Sequence, residues 1–217
     1  MVEVGRRLWL RGLIAGAEGN FSARLDEDRL LCTPSGVNKG FLRESDLVVT
    51  DLRGLRLSGT RPPSSELLLH LACYQERPEC RAVVHAHPPH AVALTLAGQS
   101  LLACLPEAVT ALGPVPTVPY ATPGGEEVAE AARPYLRAAS CVLLERHGAL
   151  ALGLSSFASR AETTQHLFAA CDKLEMLEAV ARVQLLSGLL LPVTELSEEA
   201  LRGLARPAAL SPRRPVD

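Results

Sequence analysis

The sequence predicts an α/β protein, and three features carry that prediction. Short apolar runs of strand length alternate with longer stretches of helical periodicity. The runs around AVVHA and CVLLE are apolar at consecutive positions, as in a sheet covered on both faces. Gly, Pro and Asp clusters separate the segments. An apolar share of 47% against 21% charge supplies a sizeable core and excludes a disordered chain. The 217 residues suit one compact unit, expected over 1–205, with a proline-rich tail at 206–217 expected to be mobile.

From Val2 to about Ala15 the apolar positions recur at helical spacing, and GAEGN supplies the glycines expected to end the helix. NFSARL, RLLCTPSG and DLVVTD then read as three strands of a small meander, leading to the Asp51-Leu52-Arg53-Gly54 turn. TRPPSSELLLHLACYQERP reads as a helix capped by a serine, with Glu66 in its first turn. CRAVVHAH is a strand, PPHAVALTLAG a helix, VPTVPY a short extended segment and GEEVAEAARPYLRA a helix. SCVLLERHGALALG gives two strands hinged at His147-Gly148. Helical periodicity runs from about Ser156 to Leu186, and SEEALRGLA forms a last short helix.

Composition excludes several partners. A net charge of -2 offers no Lys/Arg excess for a phosphate backbone, so nucleic acid is not expected. No stretch approaches the roughly 18 uninterrupted apolar residues of a membrane span, and Arg11 breaks the amino-terminal apolar run too early for a signal peptide. The six cysteines lie far apart, never as CxxC and mostly in apolar segments, which fits thiols in a reducing cytoplasm.

Two clusters carry chemistry. His85 and His87 flank Ala86 on a strand, so a period of two puts both imidazoles on one face, half of a divalent metal site. His147, at the end of another apolar strand and before a glycine that permits a sharp turn, is placed to supply the third nitrogen. Glu66 is the natural fourth group, able to ligate at rest and to act as a base when substrate displaces it. The other cluster is Gly19-Asn20, Ser35-Gly36 and Ser64-Ser65, small polar pairs at turns or a helix start, suited to an anion such as phosphate. His70, four residues along the helix from Glu66, reads as structural.

GNFSARL, TPSG, PSSELLLHLACYQERPECRAVVHAHPPHAVALT, PVPTVPYATPG and LLERHGALALG, in this order from about Gly16 to Leu177, resemble the class II aldolase and adducin-head superfamily, and within it the L-fuculose-1-phosphate aldolase branch. The resemblance implies a three-layer α/β/α fold around a largely antiparallel sheet, in a homotetramer with active sites between subunits. It implies a zinc ion on His85, His87, His147 and Glu66, with manganese or cobalt compatible with the same donors. It further implies a phosphorylated sugar held at Gly19, Asn20, Ser35, Gly36, Ser64 and Ser65, and aldol cleavage of a ketose 1-phosphate to dihydroxyacetone phosphate and an aldehyde, with Glu66 as acid and base.

The chain departs from that branch on the aldehyde side. Where the branch carries a tyrosine acid downstream of the HxH pair, an ungapped count finds Pro106 with Glu107 beside it, and no tyrosine lies beyond Tyr135. Glu107 is the candidate replacement, and an acidic residue here also suits methylthioribulose-1-phosphate dehydratase, a relative that eliminates water. Ribulose-5-phosphate 4-epimerases carry aspartate at the position of Glu66, and the adducin head, a non-enzymatic relative, lacks the metal ligands present here.

Overall fold

The computed structural model describes residues 1–154 and 160–204. The predicted helix start at Ser156 and the tail from 206 lie outside them. The helices are α1 (Val2–Leu10), α2 (Leu67–Glu76), α3 (Pro89–Leu96), α4 (Pro106–Leu112), α5 (Glu126–Leu136), α6 (Arg160–Gly188) and α7 (Glu198–Leu204). The strands are β1 (Asn20–Arg24), β2 (Arg29–Cys32), β3 (Val48–Asp51), β4 (Arg56–Ser58), β5 (Cys80–Ala86), β6 (Thr117–Val118), β7 (Cys141–Leu144) and β8 (Gly148–Leu154). They form one eight-stranded sheet in the order β4-β3-β2-β1-β5-β8-β7-β6. Every pairing is antiparallel except β6 with β7.

The consecutive apolar runs have the predicted cause, since the sheet is covered on both faces. On β5, Ala82, Val84 and Ala86 join a core packed by α1, α3, α4 and α6, whereas Val83 joins the core packed by α2 and α5. The strand's period of two makes this division, and it puts His85 on the α2 side. α6 can lie close against β8 because position 153 is glycine: a Cβ there would meet the His166 carbonyl oxygen at 2.0 Å. The described cysteines are free thiols, and all but Cys104 are buried. No described helix is long and apolar enough to cross a membrane.

Several boundaries differ from the sequence reading, each for a local reason. α1 stops at Leu10 and not near Ala15, because Gly12 takes φ 69 and closes a Schellman cap, with Gly12 N–H donating to Trp9 O and Leu13 N–H to Leu8 O. α2 begins at Leu67, so Glu66 itself occupies the cap position; Ser64 accepts the Glu66 N–H at its hydroxyl and the Leu67 N–H at its carbonyl. β4 and α4 were not anticipated. β4 is short, exposed and paired only at the sheet edge, and α4 is a two-turn helix started by Pro106. The Asp51–Gly54 turn forms as expected, with the Asp51 carboxylate accepting the N–H groups of Arg53 and Leu55.

Candidate active site

Strand register assembles the site. Asn20, at the start of β1, pairs with His85 on β5, and His85 pairs on its other side with Leu150 of β8. His147 immediately precedes β8, and the three imidazoles lie with ring centroids 4.8 to 5.0 Å apart. The turn into β8 is made differently from the expectation. The left-handed residue is Arg146, at φ 59, whereas Gly148 is not left-handed. Glycine is required at 148 by space, since a Cβ would lie 2.5 Å from Ala86 O, 2.8 Å from His87 Cδ2 and 3.0 Å from His85 Cε1.

The imidazole nitrogens converge. The Nε2 atoms of His85 and His87 are 3.0 Å apart, and Glu66 reaches both flanks, with Oε2 3.3 Å from His85 Nε2 and Oε1 3.2 Å from His147 Nε2. His85 donates its Nδ1–H to Ala149 O at 2.9 Å, so its Nε2 carries a lone pair. Glu18 Oε2 lies 3.4 Å from His87 Nδ1, an acceptor on the outer side of that ring. A carbonyl or carboxylate behind a histidine is the arrangement that aims imidazole lone pairs at a metal.

Protonation states favour the same use. Burial pushes His85 down to about 3, against the opposing charge of Glu66, and burial with His147 nearby also lowers His87, so both rings are neutral at pH 7. Burial alone would raise Glu66, but His85, His147 and Asn20 together outweigh it and hold the carboxyl well below the usual range. Among the described residues its Oε1 is buried without a hydrogen-bond partner, as is His147 Nδ1. Three converging imidazoles and an ionised carboxylate with an open oxygen fit a divalent cation.

A cavity of about 210 Å³ opens on this cluster and is also lined by Gly19, Asn20, Ser35, Gly36, Ser64 and Ser65. The structure therefore brings both predicted clusters to one place. An isolated bridge between Pro34 and Pro63 lays the two serine loops side by side, with Ser35 N–H donating to Pro62 O and Ser64 N–H to Thr33 O. Gly19 and Gly36 both have left-handed φ, near 70°.

Two charged cavity residues carry no signal in the sequence. Lys39 is buried and donates to Ala17 O at 2.8 Å and Val37 O at 2.7 Å, tying the loop before Asn20 to the loop after Gly36. Burial lowers its ammonium to about 8 although Glu66 opposes the shift. Helix α1 covers this turn closely, since Gly5 would meet Lys39 O at 2.2 Å if it carried a Cβ. Glu18 is the other. A lone lysine and a loop glutamate carry no motif, so only their position in space marks them. Asn20 does not offer its amide to the cavity: Nδ2 donates to Glu66 Oε2 at 2.6 Å and Oδ1 is 2.6 Å from His70 Nε2. Glu107 sits exposed in the first turn of α4 and does not line this cavity.

A model of the class II aldolase and adducin N-terminal domain matches residues 1–185. The chain belongs to that family. Among its relatives, a 3-oxo-tetronate 4-phosphate decarboxylase from Haemophilus influenzae is 35% identical over 172 residues, covering 77% of this chain and 81% of the relative. A 5-methylthioribulose-1-phosphate/5-deoxyribulose-1-phosphate aldolase from Escherichia coli is 33% identical over 180 residues, covering 80% and 84%. Among solved structures, an L-fuculose 1-phosphate aldolase superposes with a TM-score of 0.83 at 30% identity, covering 94% of this chain and 92% of that one. This class II aldolase fold is the predicted helix-flanked, largely antiparallel sheet.

Proposed function

We propose that this class II aldolase family member is a zinc-dependent carbon–carbon lyase that releases dihydroxyacetone phosphate, and that its leaving group is carbon dioxide from a 3-oxo sugar acid 4-phosphate. The observation that carries the reading is Glu66 Oε1, buried and open beside the converging imidazoles, in one cavity with the small polar loops. His85, His87, His147 and Glu66 would hold the metal. When bound, the ion supplies Lewis-acid stabilisation of the negative charge that builds on an enediolate.

The remaining work falls to the chain. The hydroxyls of Ser35, Ser64 and Ser65 and the backbone N–H groups of Gly36 and Ser65 would grip the phosphate, and Lys39 sets the spacing of the loops that carry them. The bond between the carboxylate carbon and its neighbour breaks, carbon dioxide leaves, and Glu66, ionised at rest, takes a proton from water at Oε1 and passes it to the enediolate carbon, giving dihydroxyacetone phosphate, while the hydroxide left from the water joins the carbon dioxide as bicarbonate.

The fuculose-type aldol cleavage expected from the resemblance passes through the same enediolate but also needs a group that takes the proton from the hydroxyl that becomes the aldehyde oxygen, the group that returns it as an acid in the condensation direction. Among the described residues no tyrosine lines the cavity, and its carboxylates are Glu18 and Glu66. A carboxylate leaving as carbon dioxide has no such proton to lose, and the relative at 35% identity is named a decarboxylase. The second reading is aldol cleavage in a homotetramer, with Glu107 of a neighbouring subunit as the group that exchanges the proton of the aldehyde oxygen; it is favoured by the aldolase relatives and by Leu189, Leu190 and Leu191, each at least 74% exposed just after α6.

The test is dihydroxyacetone phosphate release by zinc-loaded protein, with a chelated control, from freshly generated 3-oxo-tetronate 4-phosphate, L-fuculose 1-phosphate and 5-methylthioribulose 1-phosphate. Metal-dependent release with carbon dioxide from the first supports decarboxylation. Release from either ketose alone supports the aldolase. Loss of water from the third, with no dihydroxyacetone phosphate from any, would turn the reading to the dehydratase.

A further inference from the structure

Behind Glu66 runs a buried chain of side chains that the residue pattern does not explain as packing. Glu66 Oε2 accepts from Asn20 Nδ2 at 2.6 Å; Asn20 Oδ1 is 2.6 Å from His70 Nε2; His70 Nδ1 is 2.6 Å from Ser22 Oγ; and Ser22 Oγ is 2.9 Å from the Tyr74 hydroxyl. All five residues are buried, Glu66 being the most accessible at 8%. They come from two elements only. Asn20 and Ser22 lie two apart on one face of β1, while Glu66, His70 and Tyr74 lie four apart at the cap and along one face of α2.

The direction of every hydrogen bond follows from the chemistry of its ends. Asn20 Nδ2 must donate to a carboxylate, so Asn20 Oδ1 is fixed as the acceptor at the other end of the amide. His70 Nε2 must then bear the proton. A neutral ring carries one such proton, and burial pushes His70 down to about 4 with Glu66 opposing, so Nδ1 must accept. The Ser22 hydroxyl supplies the hydrogen to Nδ1 and therefore accepts from Tyr74. Tyr74 keeps its proton because burial raises it well above the ordinary range. Arg24 lies 5.0 Å over the Tyr74 ring and holds the far end in place.

We infer that His70, held in its Nε2–H tautomer by Ser22 and Tyr74, is a positioning residue for Glu66: through Asn20 it engages Oε2 and leaves Oε1 as the oxygen that ligates and moves protons. The inference rests on the reading of Glu66 as proton carrier, but its physical core is the direction of the relay. That direction makes the two carboxylate oxygens different. Oε2 has a charge-assisted hydrogen bond and is the weaker base; Oε1 has none, and it is the oxygen beside His147. Without the relay the Asn20 amide can turn over, and the carboxylate loses the reason to present one particular oxygen.

Glutamine separates this role from packing, since its amide offers the same N–H donor and an acceptor, whereas leucine fills space and offers neither. The variants are H70Q, H70L, S22A and Y74F, the last two removing one oxygen each and so sparing the fold if H70L does not. Two readouts need no substrate: ring-15N magic-angle-spinning spectra of histidine-labelled protein, with His70 assigned by its loss in H70Q, and the zinc dissociation constant of the metal-free protein. A third is kcat and KM on whichever substrate the wild type turns over. The expected result is an Nε2-protonated His70 in the wild type, and in S22A a zinc dissociation constant and kcat each worse by about 10-fold, as for other outer-sphere partners of metal ligands, with KM unchanged. H70Q should recover most of what H70L loses. An Nδ1-protonated His70, equal impairment of H70Q and H70L, or S22A with wild-type zinc affinity would overturn the inference, and would do so even if the wild type cleaved none of the proposed substrates.

Discussion

Substituting Gly148 with alanine tests how the sheet holds the histidines. The added Cβ would sit 2.5 Å from Ala86 O, against an ordinary contact of 3.4 Å or more, and Ala86 is the residue between His85 and His87. β5 and β8 are bonded into the middle of the sheet, so the strands must part by roughly 1 Å in a region packed to crystal density. Overpacking of this kind costs about 1–3 kcal/mol. The same displacement carries both ring nitrogens off their common point, and disturbing the support of metal ligands weakens affinity by about 10- to 100-fold. Chelator competition for zinc and thermal melts of metal-free protein measure the two effects separately. Gly36→Ala is the control: position 36 has φ 70 but nothing within 4 Å of an added Cβ, so it should lose about 1–2 kcal/mol to backbone strain and leave zinc affinity unchanged. If G148A bound zinc as tightly as the wild type, the close approach of β8 would not be what aims His85 and His87.

Glu66→Gln should keep the fold and lower kcat by about 10²- to 10⁴-fold, the range of a lost acid–base group, in protein confirmed to hold its metal; wild-type turnover would refute the assigned role. For His70 the native value of about 4 lies below the unfolded value of 6.5. Above pH 6.5 the ring is neutral in both states; as pH falls from 6.5 through 4 the unfolded chain takes up a proton that the native ring refuses, so His70 alone should account for about 3 kcal/mol of the stability that metal-free protein loses across that window. Denaturant titrations of wild type and H70Q at pH 7.5 and 4.5 check this, and the variant should show the shallower loss. Lys39→Met removes the ammonium from two carbonyls, and should cost about 1–3 kcal/mol in stability. It should also raise KM for the phosphorylated substrate more than it lowers kcat, and an unchanged KM would exclude Lys39 from setting the anion loops.

Much of the fold was legible because burial leaves a regular trace along a chain. The period-two division on β5, the proline start of α3 and the continuous apolar strands all follow from local sequence. The failures are also physical. The end of α1 turned on which of several nearby glycines closes a cap, and β4 is too short and exposed to leave a pattern.

By itself, the sequence determined which side chains are available as a candidate donor set. HxH on a strand, a histidine before a glycine, a glutamate at a helix start and three small polar pairs are one-dimensional patterns with few uses. Tertiary structure decided what each group does with its hydrogen bonds. It joined Lys39 to two loops, turned the Asn20 amide toward Glu66 and His70, gave Gly148 a steric rather than a conformational reason, and left Glu107 outside the cavity. The physical reason is that a residue type states what a side chain can donate or accept, but only packing brings it within 3 Å of a partner, and Asn20 and Glu66 are 46 residues apart in the chain.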